Sequence, residues 1–168
     1  MEKIIIKSYA SPCGEMILGA YDGKLCMCDW SVNKRRKQVD HRLCQGIGTT
    51  MIEGTAEVIE NAIGQFEAYF AHQLRDFHLP LLLIGTDFQK QVWTALQEIP
   101  FGETVSYKDL AHRIGNPKAV RAVANANAAN ALPIVIPCHR VIGADRSLTG
   151  FAGGIEAKQF LLNIEQIK

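Results

Sequence analysis

Residues 106–130 read SYKDLAHRIGNPKAVRAVANANAAN, and this stretch holds two helix starts and one stop. Ser106 stands where an N-cap belongs, with Asp109 three residues on as its capping-box partner. A helix is therefore predicted through Leu110 and Ala111 to Ile114. Gly115 ends it, because glycine enters the left-handed C-cap conformation without a steric cost. Asn116 reads as a second N-cap and Pro117 as a first-turn proline, opening a helix from Pro117 to about Ala128. Helix, glycine turn and helix in so few residues make a helix-turn-helix. Such pairs also occur in helical domains with no nucleic-acid role, so the motif sets the fold before it sets a function.

The second helix has an unusual surface. Ala119, Ala122, Ala124, Ala126, Ala128 and Ala129 favour the helix and leave it nearly bare. Arg121 projects from this smooth rod, with Asn125 one turn later on the same face. Either the helix packs tightly in a core with a surface arginine, or it lies against DNA with Arg121 as a probe. From Lys108 to Arg140 five basic side chains (Lys108, Arg113, Lys118, Arg121, Arg140) face one acid, Asp109, although the whole chain carries a formal charge of only +1. A local excess of this kind suits either a solvated face or phosphates.

Upstream, Thr86 or Asp87 caps a helix whose buried stripe is Phe88, Val92, Trp93 and Leu96, ended by Ile99-Pro100-Phe101-Gly102. Before it, Val58, Ile59, Ala62, Ile63, Phe66, Tyr69 and Phe70 recur at three- and four-residue steps, an amphipathic helix over residues 55–74. Residues 76–85 read as a linker with an apolar run, Leu79–Ile84, and place a boundary between lobes 1–85 and 86–168. At the N-terminus Ile4–Tyr9, Glu15–Ala20 and Leu25–Trp30 are β-prone, separated by Ser11-Pro12 and Asp22-Gly23. Asp-Gly between such segments signals a hairpin, so an antiparallel sheet is expected. Ser31–Gly48 is polar, contains Lys34-Arg35-Arg36-Lys37, and reads as a loop or extended excursion with a solvated basic run. The fold class is α+β.

With 168 residues, 48% hydrophobic and 21% charged, the chain has the composition of an ordinary globular protein. No apolar run approaches the ~20 residues of a membrane span, and the N-terminus lacks a signal-peptide pattern. A soluble cytoplasmic protein is expected, with its five cysteines kept as thiols. Cys13, Cys26, Cys28 and Cys44 read as small apolar filler in preference to metal ligands.

The reactive chemistry lies downstream, in Ile134–Arg140, IVIPCHR. Ile134–Ile136 reads as a buried β-like stretch, and Pro137 presents Cys138 at the end of an extended segment. A cysteine beside His139 and Arg140 sits in a positive environment that favours thiolate, the reactive species. Neighbours on an extended chain point to opposite faces, so His139 acts on Cys138 through a water if it acts at all. Glu165, near the end of a last helix over about 155–166 with Phe160, Leu161 and Ile164 as its apolar positions, is either a solvated acid or the carboxylate that orients His139.

Ile136-Pro137-Cys138-His139-Arg140-Val141-Ile142, with Arg121-Ala122-Val123 and Asn130 before it and Gly150-Phe151-Ala152-Gly153-Gly154 after it, resembles the methylated-DNA–protein-cysteine methyltransferases. The arginine seventeen residues before the cysteine of Pro-Cys-His-Arg makes the combination specific. The strong part spans about Phe88 to Glu165; the N-terminal lobe matches in outline, through Ser11-Pro12 and Gly14 and the order of elements. The resemblance implies a ribonuclease H-like outline for the first lobe and a winged-helix-like second lobe. It implies single-turnover transfer of an alkyl group from O6-alkylguanine in double-stranded DNA, with O4-alkylthymine as a further candidate, by a monomer without cofactor or metal. Cys138 matches the alkyl acceptor, His139 the base acting through water, Glu165 the acid completing the relay, and Tyr107 the donor to the flipped base. Asn130 matches the brace of the turn before the cysteine, Arg121 the finger that fills the vacated stack, and Ala122 its small neighbour in the minor groove. Asn125, Lys118 and Ser106 join them as expected DNA contacts; Pro133, Val141, Phe151 and Ala152 form the expected base pocket, with the Val141 carbonyl on the guanine amine and the Ala152 N–H on the guanine oxygen.

The sequence departs from the family pattern at Phe151, where a tyrosine is usual, at Ala152 for a frequent serine, and at Ala124 and Ala131 for glycine and proline. Tyr21 and Cys26 stand at two places where some members hold zinc, and no zinc is predicted. A lesion-binding module would lack the acceptor cysteine. A cysteine hydrolase would need an oxyanion hole and normally has its Cys and His far apart in sequence. A helix-turn-helix regulator would not need a reactive thiol.

Overall fold

Asp22 and Gly23 both take positive φ, 52° and 72°, the geometry of a type I′ turn whose twist matches the strands it joins. They connect β2 to β3 in a sheet formed by β1 (Ile4–Ser11), β2 (Gly14–Tyr21) and β3 (Lys24–Trp30). The computed structural model describes residues 2–143, 151 and 153–166. Within it the chain forms two compact units, Met1–Gly85 and Thr86–Lys168.

In the first unit the strand pairs β1–β2 and β2–β3 are antiparallel. Two elements differ from the sequence expectation. Polar residues 31–48 contain a helix, α1 (Arg36–Ile47), that buries Val39 and Leu43. A fourth strand, β4 (Met51–Glu53), follows it and pairs parallel to β1, so the sheet is mixed, in the order β3-β2-β1-β4. β3 is buried at every position from Leu25 to Trp30, as befits a strand covered on both faces. The predicted amphipathic helix is α2 (Glu57–Phe70), and Val58, Ile59, Ala62, Phe66 and Tyr69 are its buried stripe. The apolar run after it is no free linker. Leu25 N–H donates to the Pro80 carbonyl and Leu82 N–H to the Leu25 carbonyl, docking the segment on β3. Cys26 and Cys28 are buried, and burial pushes the Cys26 thiol up to about 12. Among the described residues, no group of three or more His, Cys, Asp or Glu is placed to hold a metal.

The second unit opens with α3 (Asp87–Leu96), capped by Thr86, which exchanges both capping-box bonds with Gln89. The two-residue β5 (Val105–Ser106) leads into α4 (Tyr107–Arg113), where Ser106 and Asp109 form the predicted capping box. Gly115, at φ 77°, ends α4 in a Schellman motif: its N–H donates to the His112 carbonyl and that of Asn116 to Ala111. α5 is Val120–Ala128, three residues shorter at its start than the sequence suggests. The Ala119 N–H donates to the Asn116 carbonyl, so Pro117 sits second in a tight turn, its other favoured position. The turn of the helix-turn-helix is correspondingly long. A 3-10 turn (Cys138–Arg140) leads into β6 (Val141–Ile142), which pairs parallel to β5, and α6 (Ile155–Gln166) follows. No described helix is long and apolar enough to cross a membrane.

Candidate active site

Residues 134–136 are not the strand that their apolar character suggests. Ile134 takes φ 74°, a left-handed conformation that a β-branched residue rarely adopts. The surrounding contacts impose it. Ile136 N–H donates to the Leu132 carbonyl at 2.8 Å, closing the turn. Asn130, buried, braces the same turn from both sides: Nδ2 donates to the Ile136 carbonyl at 2.9 Å, and Oδ1 accepts from Leu132 N–H at 2.9 Å. Pro133 is buried within it and forms an isolated parallel bridge with Ile136. Cys138 therefore starts a 3-10 turn instead of ending an extended segment, and the residue is only 3% exposed. The Asn127 Nδ2 donates to the Cys138 carbonyl at 3.4 Å. Asn127 was not among the sequence candidates; its place on the inner face of α5, beside Val123 and Ala126, is the signal that was available.

His139 is fully buried, and its Nε2 lies 2.6 Å from Glu165 Oε2. Burial alone would push the Glu165 carboxyl up, but the bonds and charges of His139 and Arg140 outweigh it and hold the group well below the usual carboxylate range. Burial pushes His139 the other way, down from its ordinary value, against the pull of Glu165. An ionised carboxylate only accepts hydrogen bonds, so Nε2 carries a proton, and burial favours the uncharged ring. The opposite nitrogen, Nδ1, is then a lone-pair acceptor, buried and without a protein partner. A neutral imidazole steadied by a carboxylate, with its second nitrogen unengaged beside a cysteine, has the parts of a general base.

Arg140 occupies a different place from the one its sequence neighbours suggest. Its Nε donates to Glu165 Oε1 at 2.8 Å, one terminal nitrogen to Oε2 at 3.0 Å, and the other to the Ile99 carbonyl at 2.6 Å. The guanidinium thus neutralises Glu165 and ties α6 to the end of α3. Gly102, at φ 85°, adds its N–H to Glu165 Oε1 at 3.3 Å. Glu165 lies on the buried stripe of α6 with Ala157, Lys158, Leu161 and Ile164; Phe160, expected on that stripe, is 37% exposed. Lys158 is the residue that sequence reasoning missed. It is fully buried, and its Nζ donates to the Val141 carbonyl at 2.6 Å. Its spacing of three from Leu161 and seven from Glu165 was the legible signal.

The remaining candidates divide by burial. Arg121, Ala122 and Asn125 are exposed together on α5, and Lys118 is exposed in the turn before it. Trp93 anchors the opposite side of that helix, its Nε1 donating to the Ala126 carbonyl at 2.8 Å. Ser106 is engaged as the cap of α4, and Tyr107, half-buried, is the first residue of that helix. Val141 is buried, with its N–H on the Cys138 carbonyl. Phe151 is half-buried and Ala152 lies outside the described residues.

The chain is similar to known proteins over most of its length. The family model for the DNA-binding domain of 6-O-methylguanine DNA methyltransferase matches residues 87–167. A methylated-DNA–protein-cysteine methyltransferase of Methanosarcina barkeri is 45% identical over 162 residues, covering 93% of each chain. The constitutive methylated-DNA–protein-cysteine methyltransferase of Bacillus subtilis is 44% identical, covering 94% of this chain and 92% of its own. Among solved structures, the Mycobacterium tuberculosis OGT protein in complex with DNA superposes with a TM-score of 0.82 at 40% identity, over 96% of this chain and 92% of that one.

Proposed function

The chain belongs to the methylated-DNA–protein-cysteine methyltransferase family, and from that premise we propose that Cys138 is the atom-accepting residue, with His139 and Glu165 as its relay. The activity is direct repair: an alkyl group passes from DNA to the protein itself. The observation that carries the assignment of Cys138 is its neighbour, a buried neutral His139 with Nδ1 unengaged and Nε2 held by Glu165.

The step balances as follows. The Cys138 thiol gives its proton to His139 Nδ1 through a water, and the imidazolium is steadied by Glu165. The thiolate attacks the alkyl carbon of O6-alkylguanine in line. The new S–C bond forms as the C–O6 bond breaks, and the electron pair of that bond stays with the guanine. Tyr107 donates its hydroxyl proton to the departing base, and the proton taken from Cys138 replaces it. A thioether has no leaving group that water displaces at neutral pH, so each molecule reacts once.

A base in duplex DNA does not reach the thiol of a residue that is 3% exposed, so the nucleotide leaves the stack, at a cost of a few kcal/mol by general estimate. Arg121, exposed on the alanine-rich face of α5, fills the gap from the minor groove, with Ala122 allowing close approach. Asn125, Lys118 and Ser106 contact the backbone. A face with so few hydrogen-bonding side chains reads no base sequence, as repair at any site requires. The base then stands among Pro133, Val141, Phe151 and Ala152, and the protein acts as a monomer in the cytoplasm.

Peptide mass spectrometry after incubation with duplex DNA carrying O6-methylguanine tests the reading. One methyl on the Cys138 peptide, and none in Cys138→Ser, is the expected result. A methyl on another cysteine, or continued turnover of excess DNA, would overturn it.

A further inference from the structure

The side chains that α5 buries are Val123, Ala126 and Asn127. Asn127 is the polar one, 3% exposed. Asparagine is a poor helix former, and an alanine here would bring no polar group to satisfy. The bond its Nδ2 makes does not account for it. That bond is long, at 3.4 Å, and goes to the Cys138 carbonyl, which already accepts from the Val141 N–H. The other end of the carboxamide, Oδ1, is buried with no hydrogen-bond partner among the described residues.

His139 Nδ1 is in the same state. Both atoms belong to groups attached to one peptide unit. Nδ1 sits on the side chain of residue 139, and Oδ1 shares a carboxamide with the nitrogen that reaches the carbonyl joining 138 to 139. The two atoms do not bond each other, because both are acceptors: the ring proton is on Nε2, toward Glu165. A buried acceptor left without a donor destabilises the fold. The small donor that serves two acceptors at once is water, with two O–H groups to give and lone pairs with which to receive.

We infer that Asn127 is a positioning residue for alkyl transfer, whose Oδ1 holds, together with His139 Nδ1, the water that takes the Cys138 proton. The inference rests on Cys138 being the acceptor. One O–H of the water points at Nδ1 and the other at Oδ1, which turns the lone pairs toward the thiol. When the S–H bond breaks, its proton joins the water oxygen and its electron pair stays on sulfur. The O–H bond facing Nδ1 breaks in turn and delivers its proton to the ring. The O–H facing Asn127 is kept, because an amide oxygen is a far weaker base than an imidazole. The proton therefore has one route. Without the amide the water pivots on a single bond to the ring, and the productive orientation competes with idle ones.

The test is nitrogen-15 NMR of the His139 ring in the full chain, beside the rate of iodoacetamide alkylation of the Cys138 peptide at about pH 7. Asn127→Leu keeps the shape and removes donor and acceptor together, a change that buried sites accept. The Nδ1 resonance is expected to move downfield, as for a lone pair that loses its donor. Alkylation is expected to slow about tenfold, a part of the ~100-fold or more that a general base supplies. An Nδ1 resonance that stays in place, or an unchanged rate, overturns the inference, because an asparagine that only packs would change the unfolding temperature and leave ring nitrogen and thiol alone. Should that variant fail to fold, the unaltered protein gives the answer. Magnetisation transfer from a resident water to the Asn127 carboxamide protons is expected, and silence there overturns the inference. None of these readouts uses DNA. Failure of lesion-bearing DNA to methylate Cys138 would therefore sink the assignment of the acceptor, and not be confused with failure of the asparagine's role.

Discussion

Asn130 shows how a single side chain sets the site. Its amide satisfies one buried acceptor and one buried donor, at Ile136 and Leu132, and these bonds hold Ile134 in a conformation it would not choose. Asn130→Ala leaves the Leu132 N–H without its partner, at about 1–3 kcal/mol, and takes from the Ile136 carbonyl one of its two bonds, the other coming from the Cys138 N–H at 2.7 Å. A fall in denaturation midpoint and slower alkylation of Cys138 are the expected outcomes, checked by urea unfolding and peptide mapping. Loss of stability with Cys138 reactivity unchanged would show that the brace does not serve the thiol. Residues of this kind were legible in part. Cys138, His139 and Glu165 stand out through resemblance, and the structure brings His139 and Glu165 within 2.6 Å. That the imidazole proton sits on Nε2, and that Arg140 serves Glu165 instead of the thiol, depends on contacts 25 residues and more apart in the chain, which no local pattern records.

Helices with caps were readable and helices without them were not. α3 and α4 begin where Thr86 and Ser106 place them, because both capping boxes form. α1 has no side-chain cap, no acid in its first turn and only two buried residues, so nothing local distinguishes it from a polar loop. Packing makes it a helix. β4 is three residues long and pairs parallel to a strand some fifty residues earlier, a match set by topology alone. Pro117 had two acceptable positions and the chain uses the second. Between elements, Gly102 is the joint that meets α6: it combines φ 85° with a Cβ position only 3.3 Å from the Glu165 carbonyl oxygen. Gly102→Ala is expected to cost about 1–2 kcal/mol for the left-handed backbone alone, measured as a lower midpoint in chemical denaturation. No change in midpoint would mean that the segment relaxes freely around the new methyl.

Acidification should act with opposite sign on the two units. Asp29, buried beside Asn33 and the Trp30 N–H, is raised by burial to about 6. Stability from its neutral form is fully present below the unfolded value of 3.8, is lost as pH rises through about 6, and so returns on going from about pH 7 to about pH 5. His139 is depressed from 6.5 by burial, so the second unit loses stability as pH falls below that value, because the unfolded chain takes up the proton more readily. Glu165, held low, extends this loss further into acid as pH falls through the usual carboxylate range. Hydrogen exchange at both pH values checks it: slower opening of β2 and β3 and faster opening of α6 are expected, and a change of the same sign in both would contradict the assignment. The bond from Trp93 to the Ala126 carbonyl gives this experiment an optical counterpart. The chain has only two tryptophans, Trp30 in one unit and Trp93 in the other. Replacing Trp30 with phenylalanine leaves one tryptophan beside the four tyrosines, seated against the helix that carries Arg121, so with excitation selective for the indole, docking on a nucleic acid becomes visible as a colour shift without any dye.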